Sequence, residues 1–117
     1  MTQHLEIPGT WRHVQAIERI RSKIAQIGLA CSGTLHTRKK CCGRPNCRCA
    51  KGKDYWHGPY HEWTRRRDGK LVHTILAPEQ LEILEPAIAN YREIQELLSR
   101  WDTETEAIVL KARKRKS

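Results

Sequence analysis

The chain has 117 residues, 38% of them hydrophobic, with no phenylalanine and one methionine, which limits it to a small domain with a modest core. Its 22 Lys and Arg outnumber its 13 Asp and Glu, for a formal net charge of +9, and such a balance is typical of proteins that bind a polyanion, above all nucleic acid. No apolar run approaches the length of a membrane span, so we expect a cytoplasmic protein with no membrane partner.

The first predicted element is a helix over residues 11–28. Its apolar residues recur at intervals of three or four, as on one face of a helix: Val14, Ile17, Ile20, Ile24 and Ile27. Gly28 suits the position just after the last turn, where glycine often ends a helix. We expect the apolar stripe to pack on the core or on a partner, with the arginines of the other face in solvent.

A basic β module is predicted over residues 33–76. Residues 60–66 and 71–76 alternate in the manner of strands, and Asp68-Gly69 between them is a strong signal for a hairpin turn. Residues 34–37 indicate a further short strand before the cysteines. We therefore expect a small antiparallel sheet of two or three strands, supported by a metal site and a covering helix because so small a sheet is marginal in water.

The centre of this module is a group of cysteines. Four of the five cysteines lie between Cys41 and Cys49. Three sulfurs and one nitrogen form the donor set of a closed, tetrahedral Zn2+ site, and four residues with the spacing C-x4-C-x-C-x7-H supply it: Cys42, Cys47, Cys49 and His57. Because the side chains of adjacent residues diverge, we expect Cys41 to point away from the metal.

Two other interpretations of the cysteines stay open. Disulfides are one, although the odd number of cysteines and the lack of an apolar leader in residues 1–8 favour reduced thiols. A catalytic or redox-active thiol is the other, because crowded thiols beside cations can have low pKa values. The chain has no C-x-x-C motif in a βαβ setting to support it, so a structural zinc site is the interpretation that we favour.

The run from Cys42 to Ala50 (CGRPNCRCA), with Gly52 and then His57-Gly-Pro-Tyr60, resembles a family of short bacterial zinc-ribbon-like proteins of unknown function with a CGxxxCxC…HGPY motif. The resemblance covers about residues 33–101. It implies a sheet followed by a long helix, the same four metal ligands, and an accessory role near mobile-element genes such as those of transposases or recombinases. Two features depart from the pattern: the interval from Gly52 to His57 is long, and Cys41 is extra and competes with Cys42 as a ligand.

A long helical region is predicted over residues 78–110, followed by a basic tail over residues 111–117. Pro78 suits the first turn of a helix, and apolar residues then step by three or four as far as Trp101. Pro86 interrupts the pattern and should either kink the helix or split off a short first helix. So long a stripe predicts a helical hairpin with the first helix, a homodimer through the helices, or both.

The cations concentrate around the cysteines. Residues 34–70 contain eleven Lys and Arg against three acidic residues, whereas residues 77–106 contain eight acidic residues against two arginines. Cations beside aromatic rings suit phosphates and stacked bases, and the predicted nucleic-acid-binding residues are Arg38, Lys39, Lys40, Arg44, Arg48, Lys51, Lys53, Tyr55, Trp56, Arg65, Arg66 and Arg67. We expect DNA rather than RNA as the ligand.

The sequence thus predicts an α+β fold in a single domain over residues 1–117: a small antiparallel sheet with a Cys3His zinc site, flanked by an N-terminal helix and a long C-terminal helix. No H-E-x-x-H, P-loop or G-x-S-x-G motif is present, and four protein ligands leave zinc no open position, so we predict no catalytic activity. The predicted function is that of a nucleic-acid-binding accessory protein, for example the DNA-binding component of a transposon or recombinase system. The alternative is a subunit that docks through its helices on a larger protein.

Overall fold

The computed structural model describes residues 8–112, which form two helices and a three-stranded antiparallel sheet. In chain order the elements are α1 (Trp11–Ala25), β1 (Thr34–Lys40), β2 (His57–Arg67), β3 (Lys70–Leu76) and α2 (Pro78–Ala112). Two short 3₁₀ helices, Arg48–Lys51 and Lys53–Tyr55, lie between β1 and β2. The predicted α+β class is confirmed, and the sheet has the larger of the two predicted strand numbers.

The chain divides into two compact units. A helical unit contains residues 8–29 and 90–112, and a sheet unit contains residues 30–89. The first part of α2, residues 78–89, thus belongs to the sheet unit and the remainder to the helical unit. The single domain that we predict over residues 1–117 stays a prediction.

The sheet has the strand order β1-β2-β3, and its β2–β3 hairpin closes at the predicted turn. Arg67 pairs with Lys70, and the two residues between them have positive φ angles, 50° at Asp68 and 79° at Gly69. Type I′ hairpin turns require positive φ at both central positions, which asparagine, aspartate and glycine adopt most readily. The Asp-Gly pair therefore sets the register of the whole hairpin.

One face of the sheet packs against the first turns of α2. Leu76 of β3 forms a buried cluster with Leu84 and Ile88, and four partly buried side chains surround it: Cys31, Leu35, Trp63 and Leu81. The Trp63 indole N–H donates a hydrogen bond to the Ser32 carbonyl over 3.1 Å. Both features fix the Trp63 indole against the core, where it is partly buried.

Gly33 makes this position of the indole possible. Its φ is +132°, in a region that side chains with a Cβ rarely adopt. A Cβ at this position would also collide with the Trp63 indole and lie 2.9 Å from the Thr64 carbonyl oxygen. The Ser-Gly turn before β1 is thus required by packing as well as by backbone conformation.

In the helical unit, Ile20 of α1 is buried, as are Leu97 and Ile108 of the second part of α2. His13 Nδ1 lies 2.6 Å from Glu104 Oε1, and the Lys111 ammonium donates to the Gly9 carbonyl over 2.9 Å. These contacts fit the predicted helical hairpin.

The structure places the end of α1 at Ala25 rather than at residue 28. The N–H groups of Gln26 and Ile27 bond to carbonyls three residues earlier, so the last turn tightens to 3₁₀ geometry before Gly28 is reached.

Pro86 does not divide α2, which is continuous from Pro78 to Ala112. A proline at this position removes the backbone bond to the Glu82 carbonyl, but Pro86 and Glu82 are both exposed, so water can satisfy that oxygen. The neighbouring Leu84 and Ile88 are buried and hold the helix on the sheet. The predicted basic tail begins inside the helix at Lys111, and its residues 113–117 lie outside the described part of the chain. Within residues 8–112 no helix is long and apolar enough to cross a membrane.

Candidate metal centre and its basic surroundings

The loop between β1 and β2, residues 41–56, brings the predicted ligands together. Lys40 at the end of β1 pairs with His57 at the start of β2, after a shift of register between Arg38 and Lys40. Both ends of the loop therefore lie side by side on the sheet. The first 3₁₀ helix, Arg48–Lys51, turns the loop back so that Cys49 is buried, with 1% of its surface exposed.

Four side chains of this loop and of β2 form one cluster. The ligand atoms of Cys42, Cys47, Cys49 and His57 all lie within 4.8 Å of one another, with the Cys42 and Cys49 sulfurs 3.4 Å apart. The Cys47 sulfur lies 3.3 Å from His57 Nε2. These are the four residues that the spacing predicts, and their three sulfurs and one imidazole nitrogen fit the preferences of zinc.

Cys41 differs from the prediction. Its side chain does not point away, because its sulfur lies 3.1 Å from that of Cys49. The argument from diverging neighbours applies most fully to an extended strand, and β1 ends one residue earlier, at Lys40. Cys41 and Cys42 thus both approach Cys49, although Cys41 is not among the four residues whose ligand atoms all lie close together.

The three thiols of the cluster differ in pKa. The pKa of Cys47 is lowered to about 7, chiefly by the backbone N–H of Cys49 and then by the thiols of Cys49 and Cys42. The pKa of Cys49 is raised, first by its contact with the Cys41 thiol and then by burial. The backbone N–H of Arg44 lowers the pKa of Cys42, but the Cys49 thiol, burial and the neighbouring Cys47 together outweigh it, so that the pKa of Cys42 is raised. Among Cys42, Cys47 and Cys49, Cys47 therefore has the lowest pKa, and a metal binds the thiolate form.

Cations and aromatic rings alternate on the surface of the same loop. Arg48 lies over the Tyr55 ring at 4.9 Å from its centre, and Lys53 lies over the Trp56 ring at 5.9 Å. Arg44, Arg48, Lys51 and Lys53 are all exposed. The two predicted stacking residues thus carry cations of the chain itself on their faces.

The chain matches the model of a domain of unknown function (DUF6788) over residues 13–85. It therefore belongs to that family. It matches no curated protein and no solved structure. The DUF6788 match includes the three strands, the whole loop and all four residues of the cluster.

On the strands of the DUF6788 chain, a buried glutamate contacts two of the predicted cations. Glu62 of β2 is 6% exposed, its Oε1 lies 2.7 Å from Arg38, and its Oε2 lies 3.6 Å from Lys40. We did not predict a role for Glu62. Alternation within β2 does not reveal these contacts, because they depend on the register with β1, which pairs Glu62 with His36, two residues before Arg38.

The three consecutive arginines of the DUF6788 chain occupy different environments. Arg65 is half-buried: it lies over the Trp63 ring at 3.9 Å from its centre and donates to the Thr74 hydroxyl over 2.9 Å. Arg66 and Arg67 are exposed, and Arg66 donates to the Gly69 carbonyl. Among these three arginines, the two beside the hairpin turn are the ones whose charge faces solvent.

Proposed function

We propose that this protein is a zinc-stabilised nucleic-acid-binding protein with no catalytic activity of its own. The observation that carries the proposal is a Cys3His cluster built from β2 and from a loop that also carries four exposed cations: Arg44, Arg48, Lys51 and Lys53. A metal at the cluster would hold these cations in fixed positions for phosphate groups.

Zinc would supply what the loop lacks in apolar packing. Of residues 41–56, Cys49 alone is buried, so few apolar contacts order this segment. In small domains a structural metal replaces a missing core, and its binding free energy becomes folding free energy. Four protein ligands also complete a tetrahedral shell, which supports a structural site and argues against a catalytic one.

The distribution of charge supports nucleic acid as the ligand. Phosphate neutralisation by Lys and Arg dominates the affinity of most nucleic-acid-binding proteins, and residues 34–70 carry eleven such side chains against three acidic ones. Double-stranded or single-stranded DNA is the ligand that we expect before RNA.

A role in a bacterial transposon or recombinase system rests on the resemblance of the motif alone. It stays a prediction, which the identity of the neighbouring genes would test.

A salt series tests the proposal. Binding of a fluorescently labelled DNA should fall steeply between about 50 and 200 mM salt, because each phosphate contact contributes about 0.9 to the slope on duplex DNA and about 0.7 on single strands. Protein stripped of metal by a chelator should bind more weakly, and added zinc should restore the affinity. Absence of binding at the lowest salt would refute the proposal.

A second candidate is a subunit that docks on a larger protein, and the exposed apolar side chains of α2 favour it. Leu98 is 50% exposed, Val109 61% and Leu110 62%, although buried apolar surface is what normally stabilises a helix. A homodimer through the helices would cover the same side chains, and sedimentation of the purified protein measures it. Failure to bind DNA at low salt would leave this candidate in place.

A further inference from the structure

Within the sheet unit, the face of the sheet opposite the core carries several exposed side chains. In the sheet unit, α2 packs on the face that carries Leu76 and Trp63. Alternation and register place another set of side chains on the opposite face: His36, Arg38, Tyr60, Glu62, His73 and Ile75. His36 and His73 are exposed, and Ile75 is 47% exposed. We call this surface the open sheet face. It combines rings, of which Tyr60 is half-buried, with an aliphatic side chain and charged side chains.

Glu62 organises the cations of the open sheet face. Its carboxylate is shielded from water and lies between Arg38 and Lys40, whereas the Arg38 side chain is 56% exposed and that of Lys40 is 40% exposed. A guanidinium has five N–H groups in a rigid plane, so an arginine that one carboxylate oxygen holds still presents N–H groups to solvent. Arg38 is thus fixed in position and free to bind a further anion.

Rings lie beside these anchored cations. Tyr60 pairs directly with Arg38 across the two strands, and His36 pairs with Glu62. Side chains of directly opposed residues on one face of an antiparallel pair lie about 5 Å apart. Phosphates bound at Arg38 and Lys40 would therefore bring the attached bases within reach of both rings.

We propose that the open sheet face binds single-stranded nucleic acid, with Arg38 and Lys40 on phosphates, Tyr60 and His36 stacked on bases, and Glu62 positioning Arg38. This inference rests on the proposed nucleic-acid-binding function and narrows its ligand. Bases stack on side-chain rings only when they are unpaired and splayed, so a face with rings beside cations selects single strands over duplexes.

The first test compares two exposed cations of the sheet. Arg38 lies on the open sheet face, whereas the alternation of β3 places Lys70 on the face that carries Leu76. The probe is a fluorescein-labelled oligothymidylate of 12 nucleotides, which is titrated with protein at a fixed salt concentration. Arg38→Ala should weaken its binding about tenfold or more, because an anchored, charge-assisted phosphate contact is lost, and Lys70→Ala should weaken it less than about threefold. Equal losses would overturn the inference, since both variants remove one positive charge.

The second test separates positioning from charge. If Glu62 only repels phosphate, Glu62→Ala should tighten binding; if it positions Arg38, the same change should weaken binding about threefold or more. Glu82→Ala is the matched control, because it removes an exposed carboxylate of α2 in the same unit. Circular dichroism melts and zinc content establish that each variant is folded. Tighter binding by a folded Glu62→Ala protein would contradict the inference.

The third test concerns the rings. Tyr60→Leu should weaken oligothymidylate binding about tenfold, the loss expected for one stacked base, and should leave binding of inorganic polyphosphate, which has no bases, within about twofold of the original. The 12-base single strand should also bind more tightly than a duplex of equal length. Preference for the duplex, or equal losses on both polyanions, would refute the open sheet face as the site. Failure of the unaltered protein to bind any of these ligands would instead refute the proposed function itself.

Discussion

Replacing Cys42 and Cys41 separately by serine tests which of two adjacent sulfurs holds the metal. Both are exposed, and both approach the Cys49 sulfur, at 3.4 Å and 3.1 Å respectively. Only Cys42, however, lies within 4.8 Å of all the other ligand atoms of the cluster. The two variants are matched in chemistry and position, so a difference between them reports ligation rather than local packing.

The size of the effect follows from the ligand count. Structural zinc sites contribute about 10–16 kcal/mol of apparent binding free energy at neutral pH, so one of four ligands accounts for about 3 kcal/mol if the ligands share it evenly. A loss of about 3 kcal/mol weakens zinc binding roughly a hundredfold. It is also a large part of the about 5–15 kcal/mol that keeps a domain folded, so Cys42→Ser should lose its cooperative melt as well.

Competition with a chromogenic chelator measures zinc affinity, and a circular dichroism melt measures stability. We expect Cys41→Ser and Cys31→Ser to keep both, and four other variants to lose both: Cys42→Ser, Cys47→Ser, Cys49→Ser and His57→Ala. A Cys41→Ser protein that loses zinc beside a Cys42→Ser protein that keeps it would reverse the assignment. Two single variants with unchanged affinity would show that the adjacent thiols replace each other, and the argument from distances would be refuted.

Two further predictions concern residues outside the cluster. The double variant Arg66→Ala/Arg67→Ala should flatten the salt dependence of DNA binding by up to about 0.9 per lost contact and leave stability unchanged. Arg65→Ala should instead lower the free energy of unfolding by about 1–2 kcal/mol, because its contacts with the Trp63 ring and the Thr74 hydroxyl are lost. Urea melts and salt series on both proteins measure these effects, and the reverse pattern would refute the assignment. Gly33→Ala should destabilise the fold by more than about 1–3 kcal/mol, the cost of the backbone strain, because the added Cβ also collides with the Trp63 indole. Gly28→Ala is the control because a Cβ there meets nothing within 4 Å, and equal urea midpoints would contradict this argument.

Sequence patterns predicted the elements well because local chemistry decides them. The Asp68-Gly69 turn adopts the positive φ angles that its residue types favour, and the alternation of β2 and β3 leads directly to their observed pairing. The spacing C-x4-C-x-C-x7-H predicted which four side chains meet, because a chain that binds one metal must return to it four times.

What the patterns missed depends on distances between elements. Cys41 was expected to point away, but the direction of a side chain just beyond a strand end depends on the path of the loop that follows. The role of Glu62 requires the register of β1 against β2, which includes an irregularity near Arg38. In the sequence, Arg65 cannot be distinguished from Arg66 and Arg67, and its different role becomes visible only from its position over the Trp63 ring. In α2, tertiary burial of Leu84 and Ile88 outweighs the local cost of Pro86.

The most direct test of the account is the metal content of the purified, reduced and untagged protein. Elemental analysis should find about one zinc per chain, since one cluster of four protein ligands binds one ion. Removal of that zinc should abolish the cooperative melt of the sheet unit, because metal binding and folding are coupled in such sites. Protein that contains no metal and melts unchanged in the presence of a chelator would contradict the account at its foundation.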